Sequence, residues 1–264
     1  MKNNEIHNLL NKLSVKDKIY QLIQLSGQFY QQDDELVTGP QQKLGIAAEA
    51  IKNAGSVLNI RGAQELINLQ KRNLENSEHA IPMLFMADII NGYETIFPIP
   101  LGLGATWNPG LVKEAAAVSA HEAAVSGMHI TFSPMVDLVR DPRWGRVMES
   151  TGEDSFLNSL FAQAFVEGYQ GDMDPDKNIV ACVKHFAGYG APEGGREYNT
   201  VDMSERTFRE YYLPAYKAAL DAGAKMMMTS FNTVDGIPAT ANEWLNRSVL
   251  RDEWKFDGLL ISDY

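Results

Sequence analysis

Between Gly55 and Tyr264 the chain repeats one pattern: a short apolar run without polar alternation, then a longer segment with helical spacing. The apolar runs cover 55–60, 82–88, 130–134, 179–185, 225–230 and 258–263. A strand that is apolar on both sides has both faces covered, which is the property of a parallel sheet flanked by helices. The pattern predicts an α/β fold with about six strand–helix units, fewer than the eight that close a (β/α)8 TIM-barrel-like domain.

Between the runs, helix signals recur. Ser14 is placed to cap a helix over 14–25, with Val15, Ile19, Leu22 and Ile23 on one face. A second helix is expected over 63–73. Asn108 followed by Pro109 starts a third that ends near Gly127, and Asp154 caps a fourth that stops at Gly168. Ser204 caps a fifth that Pro214 kinks before Gly223, and 242–253 forms a sixth. Residues 28–42 are polar and carry a Thr-Gly-Pro turn, so they read as a loop. Two prolines and the Gly102, Gly104 pair argue against any regular element from Asn91 through Leu103.

The totals narrow the function classes. With 264 residues the chain is one large domain or two small ones. A net charge of −11 and a pI near 4.9 give no electrostatic footprint for nucleic acid or an anionic membrane. A neutral or cationic small molecule fits better. The single cysteine, Cys182, sits in an apolar run and reads as a buried, inert thiol. The first residues hold no apolar core of a leader, and no stretch is long enough to span a bilayer, so the expectation is a cytoplasmic protein.

Three runs end in polar groups: Asp88, the pair Lys184-His185, and Asp263. In parallel α/β enzymes the carboxyl ends of strands face the reaction cleft, so three such endings on one rim make a site. Arg143 and Arg146 in the loop Asp-Pro-Arg-Trp-Gly-Arg, and Glu193, Arg196 and Glu197 in the glycine-rich stretch 188–200, add to it. Carboxylates accept two hydrogen bonds and guanidinium donates two, the spacing that neighbouring sugar hydroxyls present. Each group also has a purely structural reading. Ser262-Asp263 could cap a helix. Arg143 and Arg146 could pair with Asp141 and Glu149 on a solvated loop, and His185 could be a satisfied core histidine. Glu193 and Glu197 could be plain loop charges, and Met226–Met228 could be core packing with Met228 near the strand mouth.

Other motifs are incomplete. His121-Glu122 is followed by Val125 where a zinc-protease helix needs its second histidine. Gly102-Leu103-Gly104 lacks the rest of a dinucleotide fingerprint, and no Gly-Lys-Ser/Thr phosphate loop occurs. His7, His79, His121 and His129 form no evident ligand set. No metal and no cofactor are expected.

The stretch from Lys184 to Thr200, KHFAGYGAPEGGREYNT, closely resembles the signature loop of glycoside hydrolase family 3. So do Asp88 with Gly92–Pro98, the Arg143–Arg146 tetrapeptide, and the terminal Ser262-Asp263-Tyr264. The likeness runs from Ser14 to Tyr264 and is strongest toward the bacterial periplasmic-type, broad-specificity β-glucosidases. It implies that residues 1–264 are the N-terminal barrel domain of that family, cut short at the nucleophile strand. It implies a retaining hydrolase of terminal β-D-glucosyl residues, with Asp263 as nucleophile. Asp88, Arg146, Lys184 and His185 would hold the hydroxyls of the sugar, and Glu197 and Met228 would line the same pocket. The acid/base glutamate of the family comes from a following α/β sandwich domain, so that domain is an expected partner, alongside a β-linked glucoside and a homodimer. Phe231 stands where many members carry a tyrosine near the nucleophile. No histidine follows His185, which disfavours the N-acetylglucosamine-specific branch. The alternatives are a β-xylosidase of the same family, a sugar-binding fragment or subunit without catalysis, and a magnesium-dependent barrel enzyme with Asp88 and Asp263 as ligands.

Overall fold

Leu25 decides where the first capped helix ends. A computed structural model of the protein describes residues 3–30 and 44–264. Its contacts divide the chain into two compact units, one running to Ala87 and including Ser126–His129, the other made of Asp88–Val125 and Ile130–Tyr264.

In the first unit Ser14 and Asp17 form a reciprocal capping box: Asp17 Oδ2 accepts from the Ser14 amide at 2.9 Å, and Ser14 Oγ accepts from the Asp17 amide at 3.2 Å. The helix they start spans Val15–Gln21, shorter than the expected 14–25. The next residues become strand β1, Gln24–Ser26, because Leu25 is buried against Ile51 and Ala54. Tertiary burial overrides helical spacing there. Strands β2, Ser56–Leu58, and β3, Leu84–Ala87, follow in parallel register, with Leu25 opposite Val57 and Val57 opposite Phe85. The helix Ala63–Asn76 buries Leu66 and Leu69 as its spacing predicts, but Ile67, also expected to face inward, is exposed. His129 answers β3 with both its polar faces. Its amide donates to Phe85 O, and its Nδ1 accepts from the Phe85 amide, each at 2.9 Å. Of the expected loop 28–42, residues 31–42 lie outside the described residues.

In the second unit the parallel strands are β4, Ile130–Thr131; β5, Val180–Phe186; β6, Met226–Thr229; and, after the hairpin of β7, Thr233–Val234, and β8, Ile237–Pro238, the final β9, Leu259–Ile261. Strand β5 lies between β4 and β6, and β6 between β5 and β9. Gln170 ties the starts of β5 and β6 together: its Oε1 accepts from the amides of Ala181 and Lys225, and its Nε2 donates to Gly223 O at 2.8 Å. Cys182 is fully buried in β5, and burial pushes its thiol well above the ordinary range.

The helices Pro109–Val125 and Ser155–Gln170 pack closely because Gly168 has no side chain. A Cβ there would stand 2.6 Å from the Ala116 Cβ. The helical stretch 205–221 changes winding before Pro214, which has no N–H to donate; the Leu213 amide reaches back five residues to Phe208 O at 3.0 Å. The expectation of no regular element through Leu103 fails at its end. A short helix spans Pro100–Gly104, with proline in its first turn, where a missing N–H costs nothing. Glu122, rejected as a zinc-protease residue, clamps the preceding loop. It accepts from the Glu94 amide at 2.9 Å, the Thr95 amide at 2.8 Å and the Thr95 hydroxyl at 2.6 Å.

Candidate active site

Strand β5 delivers Lys184 and His185 at its carboxyl end, both almost completely buried. Lys184 Nζ donates to Asp88 Oδ1 at 2.7 Å. His185 Nε2 lies 3.5 Å from Asp263 Oδ2, just beyond the end of β9. The endings Asp88, Lys184-His185 and Asp263 therefore face one another, each delivered by a different part of the chain. Tyr264 stands beside them: local burial and then the charges of Asp88 and Asp263 raise its hydroxyl above the ordinary range. The Tyr264 amide donates to Asp263 Oδ1 at 2.8 Å, an arrangement that leaves Oδ2 toward His185.

Arg146 makes the pair that a structural reading of the loop foresees, but not on a solvated surface. Its Nε and Nη2 donate to the two oxygens of Glu149, each at 2.8 Å, and both side chains are mostly buried. Burial pulls the Glu149 carboxyl up, but the hydrogen bonds and charge of Arg146 outweigh it, and the net direction is down. Burial likewise opposes the Arg146 charge, yet Glu149 and then Asp137 hold its proton more tightly than usual. The guanidinium lies over the Tyr189 ring, 5.6 Å from its centre. Arg143 takes the plain alternative: it chelates Asp141 on the exposed side of the loop and holds that carboxyl near 2.

Glu197 accepts from the Tyr189 hydroxyl through Oε1, while its Oε2 is buried without a hydrogen-bond partner among the described residues. Tyr189 is fully buried, packed edge-on against Trp144 and His185. Burial first, and then the Glu197 carboxylate, push its hydroxyl far above the ordinary range, so it stays a donor. Met228 is buried in β6 opposite Ile261 of β9. Phe231 is half-buried, 6.4 Å ring to ring from His185 and 5.8 Å from Tyr189. Glu193 is exposed in the turn Glu193–Gly195. Among the described residues no group of three histidine, cysteine or acidic side chains is arranged to hold a metal ion.

Sequence reasoning missed Asp137, which is 1% exposed and hydrogen-bonded to His185. Its signal is a lone carboxylate inside the apolar stretch Met135–Val139. It missed Tyr216 too, whose hydroxyl reaches both Asp137 and the His185 carbonyl.

Comparison with known proteins gives this geometry a family. The model of the glycosyl hydrolase family 3 N-terminal domain matches residues 14–264. The chain belongs to glycoside hydrolase family 3. A periplasmic β-glucosidase of Salmonella typhimurium is 41% identical over 262 residues, covering 98% of this chain and 33% of that protein. A putative β-xylosidase of Formosa agariphila is 39% identical over 230 residues, covering 84% of the chain and 30% of that protein. A β-glucosidase of Listeria innocua solved with glucose superposes with a TM-score of 0.95 at 52% identity, over 100% of this chain and 38% of that one. A mutant of the Listeria enzyme, solved with laminaribiose, gives a TM-score of 0.96 at 51% identity, over 100% and 37%.

The family 3 chain thus spans about a third of the length of the relatives it matches. The expected fold class stands: α/β, of the TIM-barrel type and partial. The cytoplasmic expectation does not. The Salmonella relative is a periplasmic enzyme, and the composition of the first residues here was no guide to compartment.

Proposed function

We propose that this family 3 chain provides the sugar-holding and nucleophilic half of a retaining β-glucosidase, with Asp263 as nucleophile. The observation that carries the reading is two close pairs at the end of one strand, Lys184 bonded to Asp88 and the next residue, His185, 3.5 Å from Asp263. Lys184 and Asp88 present a donor and an acceptor to adjacent hydroxyls, and Arg146, braced by Glu149, presents its remaining N–H groups. His185 offers Nε2. Glu197 and Met228 complete the lining.

In the reaction Asp263 attacks the anomeric carbon while the glycosidic C–O bond breaks, giving a glycosyl ester of the aspartate. The departing oxygen takes a proton from a general acid, and water, deprotonated by the same group, then hydrolyses the ester. A retaining pair stands about 5–5.5 Å apart. Asp137 is unsuited to be the second member, because His185 and Tyr216 enclose it. We assign that role to a glutamate outside these residues, from the α/β sandwich domain that the family resemblance implies.

β-Glucosides are the favoured substrates, on the Salmonella relative's activity and the Listeria enzyme's complexes with glucose and laminaribiose. The Formosa relative supports β-xylosides as a second reading. The test is trapping in the whole protein with a dinitrophenyl 2-deoxy-2-fluoro-β-glucoside, followed by peptide mass spectrometry. The label is expected on Asp263 and absent from Asp263→Asn. A label on any other residue, or faster trapping by the fluoroxyloside, overturns the nucleophile or the substrate respectively.

A further inference from the structure

Asp137 is the most deeply buried acid near the site, and two of its three side-chain hydrogen bonds go to one histidine. Oδ2 accepts from the His185 amide at 3.0 Å and meets the ring Nδ1 at 2.8 Å. Oδ1 accepts from the Tyr216 hydroxyl at 2.8 Å, and the same hydroxyl lies 2.6 Å from His185 O. The backbone under the carboxylate is fixed from three sides. Ser150 Oγ donates to Asp137 O at 2.8 Å, Asn158 Nδ2 donates to Val136 O at 2.9 Å, and the Val136 amide donates to Lys184 O at 2.8 Å. Such investment holds a side chain in place, but it does not by itself say for what.

The atoms decide that. An ionised carboxylate only accepts hydrogen bonds, so the ring nitrogen facing it has to carry a hydrogen. Burial and then Asp137 keep the Tyr216 hydroxyl protonated, so it has a hydrogen to donate. With Nδ1–H committed to Asp137, the other ring nitrogen is the one left facing Asp263, 3.5 Å away.

We propose that Asp137 is a positioning residue that locks the His185 ring with its hydrogen on Nδ1, so that Nε2 is the atom presented to the sugar beside Asp263. The family resemblance gives His185 a place at the sugar but gives none to Asp137. Only the sugar in this statement rests on the glycosidase reading; the tautomer does not. Held this way, the ring meets a sugar hydroxyl through Nε2 and cannot turn to offer the other nitrogen. Tyr216 keeps Asp137 from rotating.

The experiment is ¹⁵N NMR of the whole protein labelled at histidine, with His185 assigned by loss of its signal in His185→Gln. Wild type is expected to show Nδ1 protonated. In Asp137→Ala the acceptor for Nδ1–H is gone while Asp263 still lies beside Nε2, and His185 is expected to switch to the Nε2–H form. With that switch, kcat/KM for a nitrophenyl β-glucoside is expected to fall about 10- to 100-fold, as for a lost charge-assisted hydrogen bond, with a displaced pH profile. A neutral Nε2–H ring in wild type overturns the proposal, and so does Asp137→Ala with an unchanged tautomer. Should Asp137→Ala fail to fold, the wild-type spectrum alone decides. A protein with the expected tautomers and no glycosidase activity overturns the functional reading and leaves the role of Asp137 intact. An active enzyme with a neutral Nε2–H ring does the reverse.

Discussion

Lys184 Nζ lies 2.7 Å from Asp88 Oδ1 across 96 positions of chain, and the lysine side chain is 4% exposed where the aspartate's is 42% exposed. The pair is therefore asymmetric. Removing the acid strands a buried ammonium, whereas removing the lysine frees a carboxylate that water reaches. Loss of one partner of a fully buried pair costs about 3–5 kcal/mol, and the exposure of Asp88 lowers that, to about 1–3 kcal/mol, for Asp88→Ala. Lys184→Met is expected to be near neutral for stability while weakening glucose binding. Urea midpoints and titration with glucose check both; equal destabilisation by the two variants would contradict the asymmetry.

Glu149 makes stability depend on acid in a definite direction. Arg146 holds its carboxyl below the ordinary 4.5 despite burial. A lowered carboxyl stabilises the fold above its unfolded value, and the contribution is lost as pH falls through 4.5 toward the folded value. Glu149→Gln is expected to cost about 1.5–3 kcal/mol at neutral pH, the usual range for a hydrogen bond to a charged group. Below pH 4.5 the gap between variant and wild type should close. Denaturant midpoints from about pH 7 to about pH 3 measure this, and a gap that stays constant would rule it out.

His129 titrates against the fold higher on the scale. Burial holds its imidazole below the ordinary 6.5, and its Nδ1 is needed as an acceptor for the Phe85 amide. Below 6.5 the unfolded chain takes up a proton that the folded one resists, so stability falls with pH from that point down to the folded value. His129→Asn keeps an acceptor and cannot titrate, so its melting temperature should be flatter between pH 7.5 and 5. Parallel curves for wild type and variant would show that His129 is not the group responsible.

The strand ends were legible because parallel strands buried on both faces read as unbroken apolar runs. Asp88, Lys184, His185 and Asp263 terminate such runs, and the folded chain brings them together. What escaped was decided by distant partners. Leu25 has helical spacing and becomes strand because Ile51 and Ala54 wait for it. Asp137 looks like any loop acid until β5 sets His185 against it. Glu149 was visible only as a surface counter-ion, since nothing local reports that its pair with Arg146 is mostly buried. Pro100 begins a helix whose glycines argue against one, because a five-residue turn needs little propensity once its ends are packed.

Cys182, sealed inside β5 with its proton held tightly, is the chain's single sulfhydryl. Oxidants attack thiolates they can reach, and this one is neither ionised nor reachable. Once these residues are folded, Cys182 should therefore be indifferent to whether the surroundings are oxidising or reducing.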